Sequence, residues 1–173
     1  MTEEKKIKEI EEKKPTEKKV EEKKEIKPVK KIEETQPEAH EAFARIENAP
    51  ISTKASVEIC SFIRNRELSK AKKLLQQVLN KKIAVPYKRY NRDVGHKPGK
   101  IASGRYPEKA TKEILKLLNL AQTNAENKGL DGENLVITEI VANKGYQQAH
   151  YGRKRSRSFK RTHVNVFVKE IEK

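Results

Sequence analysis

The chain reads as an α+β protein, with three helices packed on one face of a small three-stranded antiparallel sheet, a long protruding basic β-hairpin and a disordered N-terminal tail. Three observations lead there. Three segments carry apolar residues at helical spacing, and three shorter ones alternate apolar and polar residues as half-buried strands do. The last two strand segments flank a polar, basic stretch with nothing to bury.

The tail comes first. Through His40 the sequence holds twelve Lys and twelve Glu, no aromatic residue, and Pro15, Pro28 and Pro37 as helix breakers. Blocks such as Glu11-Glu12-Lys13-Lys14 leave Ile and Val isolated, so too little apolar surface is available to offset the entropy of ordering. Residues 1–40 are therefore expected to be a disordered tail, and residues 41–173 to be the folded domain. The tail is electrically neutral, so the whole net charge of +15 belongs to the domain.

The domain opens with a short strand at Ala42-Phe43-Ala44-Arg45-Ile46, followed by Pro50 and the capping-type residues Ser52 and Thr53. A first helix follows, with Ala55, Ile59, Phe62 and Ile63 on one face and Arg64-Asn65-Arg66 closing it with charge suited to a helix C-terminus. The second runs from about Leu68 to Leu79 with Ala71, Leu74, Leu75, Val78 and Leu79 at helical spacing. The third takes Pro107 at its first position and Glu108 in its first turn, presents Ile114, Leu117, Leu118, Ala121 and Ala125, and stops at Lys128-Gly129. Strands at 135–141 and 162–168 complete the chain, the second with Val164, Val166 and Val168 on one face.

Two stretches resist this description. Residues 81–106 form a long loop with eight basic residues against one acid, Asp93, together with three Tyr, three Gly and two Pro. Residues 140–169 contain eight Lys or Arg and no carboxylate. The simplest reading of the second is an extended hairpin over about residues 139–166, and at a rise of about 3.3 Å per residue its tip stands some 40 Å from its base. Such a ribbon is marginal alone in water and is expected to order against a partner.

Tyr87, Tyr90, Tyr106, Tyr146, Tyr151 and Phe159 are interleaved with these bases. Cations neutralise phosphates, aromatic faces receive unstacked bases, and Arg planes do either, so the pattern points to nucleic acid. A merely solvated basic surface would not confine its charge to two aromatic-bearing segments. Catalysis finds no support. His40, His96, His150 and His163 are scattered, no phosphate-cradling Gly loop is present, and the Asp93/His96 pair sits in a Pro/Gly-rich loop suited to binding. The single Cys60 excludes an internal disulfide and neighbours the apolar face of the first helix, as a small core thiol does. With no span-length apolar run and no signal-peptide core, the expected protein is soluble and intracellular, without cofactor, metal or membrane partner.

From about Ala42 to Glu170 the chain resembles the family of ribosomal large-subunit protein twenty-two. The residues that carry the resemblance are Ile51-Ser52-Thr53-Lys54-Ala55, Phe62-Ile63-Arg64-Asn65-Arg66 and Asn124-Ala125-Glu126-Asn127-Lys128-Gly129-Leu130-Asp131. The run Ala84-Val85-Pro86-Tyr87-Lys88-Arg89-Tyr90-Asn91-Arg92-Asp93-Val94-Gly95-His96, with Gly104-Arg105-Tyr106-Pro107-Glu108-Lys109-Ala110, is similar to the insertion of the archaeal and eukaryotic branch. Gly152-Arg153 and His163-Val164-Asn165-Val166-Phe167-Val168 keep the family's spacing. Ahead of them Ala149-His150 replaces a basic residue followed by a small one, and Arg153-Lys154-Arg155-Ser156-Arg157-Ser158 replaces the usual tip.

The resemblance implies a structural, non-enzymatic constituent of the cytoplasmic large ribosomal subunit that binds several rRNA segments, assists assembly and lines the polypeptide exit tunnel with its hairpin. Its implied partners are large-subunit rRNA, neighbouring ribosomal proteins and the nascent polypeptide, with no small-molecule substrate. A transient RNA chaperone or assembly factor is the alternative. The expected RNA-binding residues are Lys81, Lys82, Tyr87, Lys88, Arg89, Tyr90, Arg92, His96, Lys97, Lys100 and Arg105 in the loop, with Lys144, Tyr151, Arg153, Lys154, Arg155, Arg157, Lys160, Arg161 and His163 in the hairpin.

Overall fold

The computed structural model describes residues 40–171, so the expected tail, His40 apart, lies outside the described residues. In chain order the elements are β1 (Glu41–Ala49), α1 (Thr53–Ile63), α2 (Leu68–Leu79), β2 (Val85–Pro86), β3 (Gly104–Arg105), α3 (Glu108–Asn127), β4 (Leu135–Lys144), a 3₁₀ turn (Gly152–Lys154) and β5 (Thr162–Glu170). Three helices and a three-stranded antiparallel sheet, in the order β1-β5-β4, make the α+β fold that the periodicities imply.

The apolar stripes build the core. Val164, Val166 and Val168 of β5 are buried while the residues between them are only partly covered, which puts the core on one face of the sheet. Ile59 and Ile63 of α1, Leu75 and Val78 of α2, and Leu117 and Leu118 of α3 are each 0% exposed. Burying a side chain of that size contributes about 2 kcal/mol, whereas a side-chain cap is worth about 1, so packing outweighs capping here. The structure shows the consequence. Ser52 stands at the N-cap of α1 without making a side-chain cap bond, contrary to expectation, and the Thr53 hydroxyl lies 2.9 Å from that of buried Thr162. Thr162 also donates to the Ile51 carbonyl at 3.0 Å, so these hydroxyls tie the start of β5 to the start of α1.

Both edge strands have part of their outer backbone covered. The small side chains of Ala42 and Ala44 are buried where β1 packs against α3. The helix then reaches the strand's backbone, with Asn124 donating to the Phe43 carbonyl at 2.9 Å and Lys128 to that of Glu41 at 2.8 Å. On the opposite edge the α1–α2 turn pairs with β4: Asn65 N–H donates to Ile137 O and Ile137 N–H to Arg66 O, each at 3.0 Å. Satisfying edge groups this way removes a template for aberrant strand pairing.

Helix ends follow local chemistry. Arg66 Nε donates to the Phe62 carbonyl at 2.9 Å, satisfying one of the orphan acceptors at the end of α1. Gly129, at φ +80, lets α3 terminate with Gly129 N–H on Glu126 O at 2.9 Å and Leu130 N–H on Ala125 O at 3.0 Å, while Leu130 folds into the core. Pro107 occupies the N-cap of α3, one place before the expected first helical position.

Strand β1 runs three residues past the expected Ile46, through Asn48 at φ +51, with a register shift between Ile46 and Ala49. β4 and β5 pair from Leu135/Glu170 to Lys144/Thr162. Beyond them, backbone bonds still join Gly145 N–H to Arg161 O, Phe159 N–H to Gln148 O and His150 N–H to Arg157 O, at 2.8–2.9 Å. Gly145 permits the approach, because a Cβ there would lie 3.1 Å from Arg161 Cβ and 3.2 Å from its backbone carbon.

Candidate nucleic-acid interface

The basic stretch 81–106 is held by a carboxylate. Glu58 projects from α1, is 1% exposed, and accepts the backbone N–H groups of Lys88 at 3.0 Å, Arg89 at 2.8 Å and Tyr90 at 2.7 Å. A buried charge is tolerated only when its lone pairs are satisfied, and three consecutive donors satisfy this one. The loop backbone is thereby fixed with Lys88 and Arg89 exposed. Sequence reasoning missed Glu58. Its signal was a carboxylate inside the α1 stripe, three residues after Ala55 and four before Phe62.

Further backbone bonds stiffen the segment, which is less irregular than the long loop expected. The β2–β3 ladder pairs Val85 with Arg105 and Pro86 with Gly104, Tyr87 N–H donates to Ser103 O at 2.9 Å, and Lys97 N–H donates to Ala102 O at 2.9 Å. His96 forms an isolated bridge with Ser103.

Against this frame lies a cleft of about 550 Å³. Arg89, Tyr90, Arg92 and Arg105 from the loop meet Lys54 of α1, and Lys160 enters from the hairpin segment. Tyr87, Tyr106 and Val94 supply apolar lining, and no carboxylate lines the space. Cations sit by the rings: Lys54 is 5.7 Å and Arg89 5.6 Å from the Tyr90 centroid, Lys97 is 5.5 Å from that of Tyr106, and Arg105 is 6.0 Å from that of Tyr87. Each such contact is worth about 0.5–1 kcal/mol and biases both partners toward one arrangement. Burial pushes the Tyr87 phenol above its ordinary range, against the opposing pull of Arg105 and with help from Glu58, so it stays neutral. A second hollow of about 600 Å³ includes Lys88, Asn91 and Lys100 with Phe62 of α1 and Arg66 of the α1–α2 turn.

The expected residues thus separate. Tyr87, Arg89, Tyr90, Arg92, Arg105 and Lys160 converge on one cleft, and Lys88 and Lys100 on the neighbouring hollow, which Tyr87 also borders. Lys97 stands over Tyr106, while His96 is exposed. Lys81, at φ +57, forms an ion pair with Glu108 at 3.2 Å, and Lys82 is exposed. In the hairpin segment Lys144, Tyr151, Arg153, Lys154, Arg155 and Arg157 are exposed, Tyr151 by 79%. Arg161 donates to the Asn48 carbonyl at 3.3 Å and His163 Nδ1 accepts the Asn48 N–H at 3.3 Å, which binds both to the end of β1. Lys54 and Tyr106 join the cleft without having been among the expected residues, although Tyr106 lies in the same basic stretch.

The arrangement suits a flexible polyanion with exposed bases better than a small-molecule reaction. Among the described residues no group of three or more His, Cys, Asp or Glu is placed to hold a metal ion, and no helix is long and apolar enough to cross a membrane.

Comparison with known proteins agrees with this geometry. Residues 44–169 match the family of ribosomal protein L22p/L17e. The large ribosomal subunit protein uL22 of Nanoarchaeum equitans is 48% identical over 132 residues, covering 71% of this chain and 75% of the relative. Its counterpart in Thermoplasma acidophilum is 47% identical over 121 residues, 67% of this chain and 80% of the relative. That of Methanosphaera stadtmanae is 42% identical over 144 residues, 78% of this chain and 94% of the relative. With the matched segment spanning the sheet, the helices and the basic cleft alike, the chain belongs to the ribosomal protein L22p/L17e family.

Proposed function

We propose that this chain is a structural constituent of the cytoplasmic large ribosomal subunit, binding several segments of large-subunit rRNA, contacting neighbouring ribosomal proteins and assisting assembly. The observation that carries the reading is the cleft whose lining combines five cations and three Tyr residues without a carboxylate, on a loop pinned by Glu58. Phosphates are neutralised there without like-charge repulsion, and a loop ordered beforehand loses little entropy on binding. The relatives' name, large ribosomal subunit protein, supports the location.

The hairpin over residues 139–166 has the companion role of reaching rRNA inside the subunit and contributing to the wall of the polypeptide exit tunnel. Its support is chemical. Residues 140–169 lack any carboxylate, and residues 151–160 are all exposed, so surrounding rRNA would screen the mutual repulsion of their cations. A photocrosslinker at Arg155 or Ser156 is expected to label rRNA and, during translation, the nascent chain. Labelling confined to the solvent side of the subunit would remove the tunnel role while leaving RNA binding intact.

A further inference from the structure

We propose that the cleft between α1, the 81–106 loop and the start of α3 receives one nucleotide extruded from its RNA stack, with the base against Tyr90 and Tyr106 and the phosphate among Arg89, Arg92 and Arg105. This inference rests on the rRNA-binding reading and specifies what that surface takes.

Size is the first argument. At about 550 Å³ the cleft falls in the range of pockets that bury most of one small organic group, roughly 300–1,000 Å³. A paired duplex offers a broad convex surface, and its bases are not accessible singly. Of paired and unpaired RNA, a nucleotide swung out of the stack is the form that matches a concave site of this volume.

The lining supplies the second argument. Tyr90 and Tyr106 are half-buried, so each ring is anchored in the fold yet presents part of its surface to the cleft. Arg89 and Lys54 stand by the Tyr90 ring and Lys97 by the Tyr106 ring, an environment in which an aromatic base finds both a stacking surface and a compensating charge. Lys160 adds a cation from the hairpin segment, so a nucleotide here would join the protein's two basic stretches through one ligand.

The third argument is rigidity. Glu58 fixes the backbone of Lys88, Arg89 and Tyr90 through hydrogen bonds of 2.7–3.0 Å, and Tyr87 N–H is held by Ser103 O at 2.9 Å. Charge attraction to phosphates falls off gradually with displacement. Stacking does not, because it requires a ring held at a defined position. Glu58 is thus a positioning residue for this nucleotide, acting through the backbone of Tyr90.

The test compares two RNA probes with the full chain at one salt concentration: a stem bearing a single-nucleotide bulge and the same stem fully paired. The bulged stem is expected to bind about tenfold more tightly, the scale of one base–aromatic stack. Replacing Tyr90→Ala together with Tyr106→Ala is expected to abolish that preference while affinity for the paired stem persists and the variant still unfolds cooperatively on heating. Tyr90→Phe is expected to keep the preference. Equal binding of both probes by the unaltered chain, or a preference that survives loss of both rings, would overturn the proposal and leave general RNA binding standing. Failure to bind either probe would overturn the rRNA-binding reading and this inference together.

Discussion

Glu58 illustrates how one side chain decides the disposition of a whole segment. Its carboxylate is buried and balanced by three backbone N–H groups, so replacing it changes both the core of α1 and the order of the loop. A Glu58→Gln substitution keeps the volume but removes the charge and turns an amide donor toward backbone donors. Stability is expected to fall by about 2 kcal/mol, from weakened charge-assisted bonds and an unsatisfied donor, as measured by urea unfolding. Hydrogen exchange at the amides of residues 88–90 should accelerate with it; unchanged exchange would show that the loop holds itself. Cys60 makes the opposite case, a buried group without a binding role. Burial pushes its thiol from 9.0 to about 12, with Arg64 pulling the other way. The unfolded chain ionises first, so this thiol leaves stability unchanged below pH 9.0 and lowers it progressively between 9.0 and about 12. A thiol reagent is accordingly expected to label Cys60 at the rate of unfolding, and rapid labelling of the native protein would contradict its burial.

Elements were legible in the sequence in proportion to their periodic length. α2 occupies the expected Leu68–Leu79, because five apolar residues at helical spacing leave one buried face. β2 and β3, two residues each, escaped notice because no pattern survives in so short a strand; they are set by backbone pairing across a loop of distant residues. Ser52 makes no side-chain cap bond although its residue type favours one. In the candidate site, basic residues and Tyr could be found by composition, but their convergence could not. Arg89 and Lys160 are far apart in sequence and meet only through the fold, and Glu58 resembled a solvated charge in a chain that is 38% charged. Gly129 gives a test at this scale. Its φ of +80 is strained for any residue bearing a Cβ, although a Cβ would meet nothing within 4 Å. Gly129→Ala should therefore cost about 1 kcal/mol in thermal or urea unfolding, from backbone conformation alone. No loss would mean that α3 ends by another route.

At the scale of the whole molecule, the proposed RNA binding follows from the separation of charge along the sequence. The net +15 falls after residue 40 of the sequence, where the basic stretches 81–106 and 140–169 offer counter-charge to a polyanion. If about six phosphates are neutralised, log affinity should fall against log salt with a slope near −4 to −5. Replacing Lys88, Arg89 and Arg92 together should weaken binding and flatten that slope, and affinity independent of salt would rule out an electrostatic interface. The central claim, permanent residence in the large subunit rather than transient service to RNA, is tested most directly by sedimenting ribosomes from cells that produce this chain and washing the large subunits at high salt. The chain is expected to remain with the large subunit in stoichiometric amount; its release into the free fraction would contradict the account and identify it as a passing RNA chaperone or assembly factor.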